Sequence, residues 1–114
     1  MQPESAAYLW DVRAAGRRVA TFTAELTQDS YAGDDLRKSA VERQLEIVGE
    51  ALNKLRKADP EAADRIPDLS RIIGLRNILV HGYAVVDDTV VWAAATGRLP
   101  ELLDVVDRLI AELE

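Results

Sequence analysis

Apolar positions recur along this chain at helical spacing, in blocks separated by polar breaks. In the first block, residues 5–27, Tyr8, Val12, Ala15, Val19, Phe22 and Leu26 alternate at intervals of four and three. That is one apolar stripe on one side of a helix, weakened slightly by Gly16. Thr27-Gln28-Asp29-Ser30-Tyr31-Ala32-Gly33 reads as a loop. Asp34 or Asp35 suits the cap of a second helix running to about Ala58. Its stripe includes Val41, Leu45, Val48, Leu52 and Leu55 and is wide enough to face two neighbours. Glu42, Glu46 and Glu50 form a row at i, i+4 on another face.

Asp59-Pro60 stops that helix, and Glu61 to Arg65 can form a short helical turn. After the Ile66-Pro67-Asp68 break, Asp68 or Ser70 can cap a third helix carrying Leu69, Ile72, Ile73, Leu75, Ile78, Leu79 and Val80. Gly82 suits its end. Asp87 or Asp88 opens the last helical region, in which Gly97 and Pro100 mark a break or kink, with Pro100 also suited to start a new helix. The only β-like piece, Tyr83-Ala84-Val85-Val86, is too short for a sheet. The pattern predicts an all-α, four-to-five-helix up-down bundle, one domain over residues 1–114.

Composition adds exclusions. A chain of 114 residues, 48% hydrophobic and 30% charged, has the balance of a globular domain. The absence of cysteine rules out thiolate chemistry and disulfides and fits a reducing, cytoplasmic setting. The polar start, Met1-Gln2-Pro3-Glu4-Ser5, has no signal-peptide pattern, and no apolar run approaches the ~20 residues of a membrane span. A net charge of −6 argues against a broad nucleic-acid-coating surface. Between Arg65 and Tyr83, however, three arginines (Arg65, Arg71, Arg76) face one acid, Asp68. Positive charge is therefore concentrated around the candidate chemistry. There is no phosphate-binding glycine loop and no metal-ligand spacing, and Trp10 and Trp92 are too far apart for a stacking array and suit helix packing better.

That chemistry lies in Arg76-Asn77-Ile78-Leu79-Val80-His81-Gly82-Tyr83. Arg76 falls in line with Leu69, Ile72, Ile73 and Val80, an apolar row in which a guanidinium needs a carboxylate partner, such as Glu46 or Glu50, or a cleft. His81 is the single histidine. Five residues after Arg76, it lies about 140° around a regular helix. Asn77 and His81 share a face; Arg76 and His81 do not. A cluster of all three needs either a loosened last turn before Gly82 or a second subunit. On the residues alone, His81 reads equally as a capping or surface group, and Tyr83 as an aromatic half-buried beside the helix end.

The same string resembles the Arg-x4-His-x-Tyr motif of HEPN domains, in particular the HepT-like toxins. Arg43-Gln44-Leu45-Glu46-Ile47-Val48-Gly49-Glu50-Ala51, Ile66-Pro67, Ile73-Gly74-Leu75 and Leu99-Pro100-Glu101-Leu102 extend the resemblance from about Asp34 to the C-terminus. Asp68-Leu69 departs from it, since an aromatic is expected after the proline.

The resemblance implies a metal-independent endoribonuclease without a cofactor, the toxin of a type VII-like toxin–antitoxin pair. His81 would act as general base or acid and Arg76 would hold the phosphate, with Asn77 and Glu50 in support. RNA, either tRNA or mRNA, would be cut to a 2′,3′-cyclic phosphate. One histidine per chain fits a homodimer in which two motifs face one cleft. The resemblance also implies a cognate minimal nucleotidyltransferase antitoxin that transfers AMP to Tyr83. The competing expectation is a non-catalytic module that only binds such a nucleotidyltransferase.

Overall fold

A computed structural model describes residues 2–82 and 86–113, and every regular element among them is helical. The order is α1 (Pro3–Thr23), α2 (Gln28–Ala32), α3 (Asp35–Ala58), α4 (Pro60–Asp64), α5 (Leu69–His81), α6 (Asp88–Ala93), a π-helical turn (Ala94–Arg98) and α7 (Leu99–Leu113). The long helices follow the apolar stripes. Helix α1 packs between α3 and α7, and α5 packs on the far side of α3. Helix α3 therefore does face two neighbours. Leu9, Val12 and Val19 of α1 meet Val41, Leu45, Val48, Leu52 and Leu55 of α3 in one buried core, with Ile72 added from α5 and Leu102, Val106 and Leu109 from α7. Each such side chain contributes roughly 1.5–3 kcal/mol by leaving water.

The helix ends show the sequence logic and three departures from it. Asp34 and Asp87 cap as expected, accepting hydrogen bonds from the Arg37 and Thr89 N–H groups at 3.0 and 2.9 Å. The 27–33 stretch is not a plain loop. Thr27 and Ser30 exchange side-chain-to-backbone hydrogen bonds in a capping box, which starts α2. Tyr31 is thereby buried against Trp92, with ring centroids 5.3 Å apart. Asp68 stands at the N-cap of α5 but adopts φ 58°, and its side chain makes no cap hydrogen bond. At Gly97 and Pro100 the expected break takes another form, a π-helical turn after which α7 starts at Leu99 with Pro100 in its first turn. Leu99 N–H donates five residues back to Ala94, so the bonding register shifts one residue before the proline, which has no N–H to give. Trp10 is likewise not a packing residue; its ring is half exposed, under the Arg13 guanidinium 3.8 Å from the centroid.

Asp59 ties three helix ends together. Its N–H caps α3 by donating to Leu55 O, and its Oδ1 accepts from Ala62 N–H at the start of α4. Its Oδ2 accepts from the Ser5 hydroxyl at 2.8 Å and from Gln2 N–H at 3.2 Å at the start of α1. Both Asp59 and Ser5 are buried. These donors favour the ionised carboxylate, the Ser5 hydroxyl most, and hold it below its ordinary pKa.

Asp59→Ala is expected to lower unfolding stability at pH 7 by about 2 kcal/mol, through a lost cap and a stranded Ser5 hydroxyl. Because the folded-state pKa is depressed, this contribution is full above the unfolded value near ~3.9 and fades as pH falls through the folded value. Urea melts of both proteins should therefore differ most at pH 7 and progressively less as pH falls below about 3.9; a constant gap would contradict the assignment.

Candidate functional site

Helix α5 presents Leu69, Ile72, Ile73 and Leu75 to the core. Arg76 follows in that row, and it is accommodated because α3 carries no side chain at position 49. A Cβ on Gly49 would overlap the Arg76 Cβ and stand 2.8 Å from its Cγ and 3.3 Å from the Ile72 carbonyl oxygen. The arginine stem lies in this notch.

Beyond the notch the guanidinium meets two polar partners. Nη2 pairs with Glu50 Oε2 at 2.5 Å, and Nη1 donates to Asn77 Oδ1 at 2.9 Å. Nε is buried and has no hydrogen-bond partner among the described residues. Glu50 also reaches Lys54 at 4.0 Å, and Arg43 pairs with Glu46 at 3.2 Å. The Arg76 and Glu50 side chains keep 24% and 40% of their exposure. Such half-solvated pairs stabilise a fold by only ~0–1 kcal/mol. What the pair fixes is the plane and direction of the guanidinium.

The pair opens into a cleft of about 250 Å³ between α1, α3 and α5. Asp11 lines it from α1 and Val80 from α5, with Ile47 and Ala51 on α3 supplying apolar surface. Its charged lining is Asp11, Glu46 and Glu50 against Arg43, Lys54 and Arg76, three acids and three bases. Of the three arginines behind the cationic surplus read along the sequence, only Arg76 lines this cleft; Arg65 pairs with Glu112 of α7 at 2.6 Å, so the expected concentration of positive charge at the site is not formed.

His81 is the last residue of α5 and is exposed. The helix stays regular to its end: Gly82, at φ 61°, donates its N–H four residues back to Ile78 at 3.1 Å. The loosened last turn that could swing His81 toward Arg76 is not formed. The structure brings together Arg76, Asn77 and Glu50 and leaves His81 outside the lining of their cleft. Tyr83 lies outside the described residues. Among the described residues, no group of three or more acidic or histidine side chains could hold a metal, and no helix is long and apolar enough to cross a membrane.

Sequence reasoning missed Gly49 and Asp11. Gly49 had a signal, because an isolated glycine inside a strong helical pattern marks a close approach when it has a packing reason. Asp11 had none; its place depends on how three helices meet.

Comparison with known proteins gives the chain as a whole a set of relatives. Residues 12–109 match the family described as Ribonuclease HepT-like. A Methanocaldococcus jannaschii protein provisionally named as an RNase is 32% identical over 108 residues, covering 95% of this chain and 92% of its own. A second protein of that organism, provisionally named in the same way, is 31% identical over 108 residues, covering 95% and 88%. A Thermococcus cleftensis protein provisionally named ribonuclease HepT is 31% identical over 106 residues, covering 90% and 92%. No solved structure matches the chain.

Gly49→Ala gains up to ~1 kcal/mol of helix propensity. The overlap falls on Arg76 Cβ, an atom that cannot swing away, so α5 must shift at a cost of about 1–3 kcal/mol. The net change in unfolding free energy is expected to be destabilising by about 1 kcal/mol in denaturant melts. A more stable variant would show that α5 moves freely over α3.

Proposed function

Because the chain belongs to the ribonuclease HepT-like family, we propose that it is an endoribonuclease toxin whose active site is completed by a second copy of the chain. The observation that carries this reading is the regularity of α5. Arg76 turns toward α3 and is oriented by Glu50 and Asn77, while His81 stands exposed at the helix end about 140° away. A phosphate held by Arg76 and a proton carried by His81 of the same helix do not meet easily. Two α5 helices facing each other would supply both.

In the proposed reaction His81 takes the proton of a ribose 2′-hydroxyl, and the 2′-oxygen attacks the adjacent phosphorus. The bond from phosphorus to the 5′-oxygen breaks, and that oxygen leaves with a proton donated by the second His81. The products are a 2′,3′-cyclic phosphate and a 5′-hydroxyl. Arg76 offsets the charge that builds on the phosphoryl oxygens. Its guanidinium has five donors. Glu50 and Asn77 occupy two, which leaves one on each Nη for the phosphate.

Regulation follows the same geometry. A cognate nucleotidyltransferase would add AMP to Tyr83, two residues after His81, and the anionic nucleotide would compete for Arg76. The competing reading, a module that binds such a partner without cutting RNA, draws support from the balanced charge of the cleft and the net charge of −6.

Purified protein is expected to cleave RNA to cyclic-phosphate ends, and Arg76→Ala or His81→Ala should each lower the rate at least 100-fold. Light scattering should give twice the chain mass for all three. An inactive wild type would leave only the binding module, and variants as fast as an active wild type would overturn the assignment of the site to Arg76 and His81.

After incubation with the partner nucleotidyltransferase and ATP, intact mass should rise by whole AMP units. A Tyr83→Phe protein that gains the same mass would place the modification elsewhere.

A further inference from the structure

We propose that the cleft beside Arg76 is a seat for one guanine base of the RNA, read by the Asp11 carboxylate. The inference takes its substrate from the ribonuclease reading, but the seat itself is argued from the cleft.

The charge arrangement says what the cleft will not hold. Each of its cations already faces a carboxylate: Arg76 and Lys54 share Glu50, and Arg43 pairs with Glu46. A phosphate pushed inside would meet three carboxylates with no uncommitted cation. The phosphodiester therefore belongs at the mouth, on the two open Nη donors of Arg76, and a neutral group belongs within.

Shape and lining narrow that group. Ile47, Ala51 and Val80 give an aliphatic surface for one flat face. At about 250 Å³ the cleft is smaller than the ~300–1,000 Å³ of sites for larger ligands, so it suits a single base. Asp11 is the one charged lining residue with no ion pair or hydrogen bond among the described residues. A carboxylate accepts hydrogen bonds and donates none. Single-stranded RNA bases are read on their Watson–Crick edges. Guanine alone presents two adjacent donors there, N1–H and the N2 amino group, which match the two oxygens of a carboxylate. Adenine and cytosine place a lone pair beside their single amino group, and uracil flanks N3–H with two carbonyl oxygens. Each would set a lone pair against Asp11.

The test uses two arms. In the first, 5′-GMP and 5′-IMP, which lacks the N2 amino group, are titrated into the full chain while methyl NMR signals of Ile47, Ala51 and Val80 are followed. GMP should shift them with an affinity roughly 10- to 100-fold above that of IMP, the range of one charge-assisted hydrogen bond. Asp11→Asn should bring GMP down to the IMP level. In the second arm, short RNAs carrying guanosine or inosine beside the cut bond should differ in cleavage by a similar factor, and Asp11→Asn should abolish the difference. Equal response to GMP and IMP, shifts elsewhere on the protein, or a preference that survives in Asp11→Asn would overturn the assignment. Selective GMP binding by a protein that cuts no RNA would sustain the guanine seat and sink the ribonuclease reading instead.

Discussion

The approach of α5 to α3 at Gly49 governs the position of everything chemical in this molecule. An arginine stem occupies the space that a side chain on α3 would fill. The apolar row of α5 can therefore continue through a charged residue without a gap in the packing. The guanidinium emerges beside Glu50, one residue along α3 from the notch. Position 49 thus sets the separation of the helices and position 50 sets the direction of the charge. Neither acts alone: a wider spacing would lift the guanidinium off Glu50, and without the carboxylate the arginine would sit with a buried Nε and no charge partner on α3.

The periphery keeps this pair of helices in register. Asp59 fastens the end of α3 to the starts of α4 and α1, which fixes how α3 lies against the core. At the other end, Lys38 of α3 pairs with Asp88 at 2.9 Å and secures the first turn of α6. Nearby Glu42 has its pKa raised, by burial first and by the Asp88 carboxylate second. The long helices supply most of the buried apolar surface. The few polar links decide which of the possible sliding positions is occupied.

Much of the fold was legible because it rests on period and on local caps. The stripes of α1, α3 and α7, and the caps Asp34 and Asp87, depend on residues within a few positions of one another. Three local features were not legible, each for its own reason. The α2 helix is too short to show a period, and its Thr27–Ser30 box uses a serine where the familiar signature has an acid or amide. Asp68 has a capping side chain, yet its left-handed backbone turns that side chain away from the cap. The π-helical turn resolves the conflict between Pro100 and a continuous helix by shifting hydrogen bonds, which leaves no mark in the apolar pattern. For the site, a charge in an apolar row matched Arg76 to Glu46 or Glu50, and the structure selects Glu50; helical spacing grouped Asn77 with His81, whereas its side-chain oxygen accepts from Arg76. Asp11 could not be placed, because it enters from α1, well before α3 and α5 in the chain, through a packing angle that composition does not record.

The geometry of α5 also removes one of the two routes that the sequence left open. A cluster of Arg76 and His81 required a distorted helix end or a second subunit. The Ile78 to Gly82 hydrogen bond keeps the end regular, and Gly82 in the left-handed region stops the helix without unwinding it. Within one chain, then, Arg76 is a committed group, fixed by Glu50 and Asn77, while His81 is presented outward on another face. A division of this kind suits a site assembled between copies. In the proposed two-copy site each chain would hold its own phosphate ligand rigid and offer its proton carrier to the other, so that neither half would act on RNA alone.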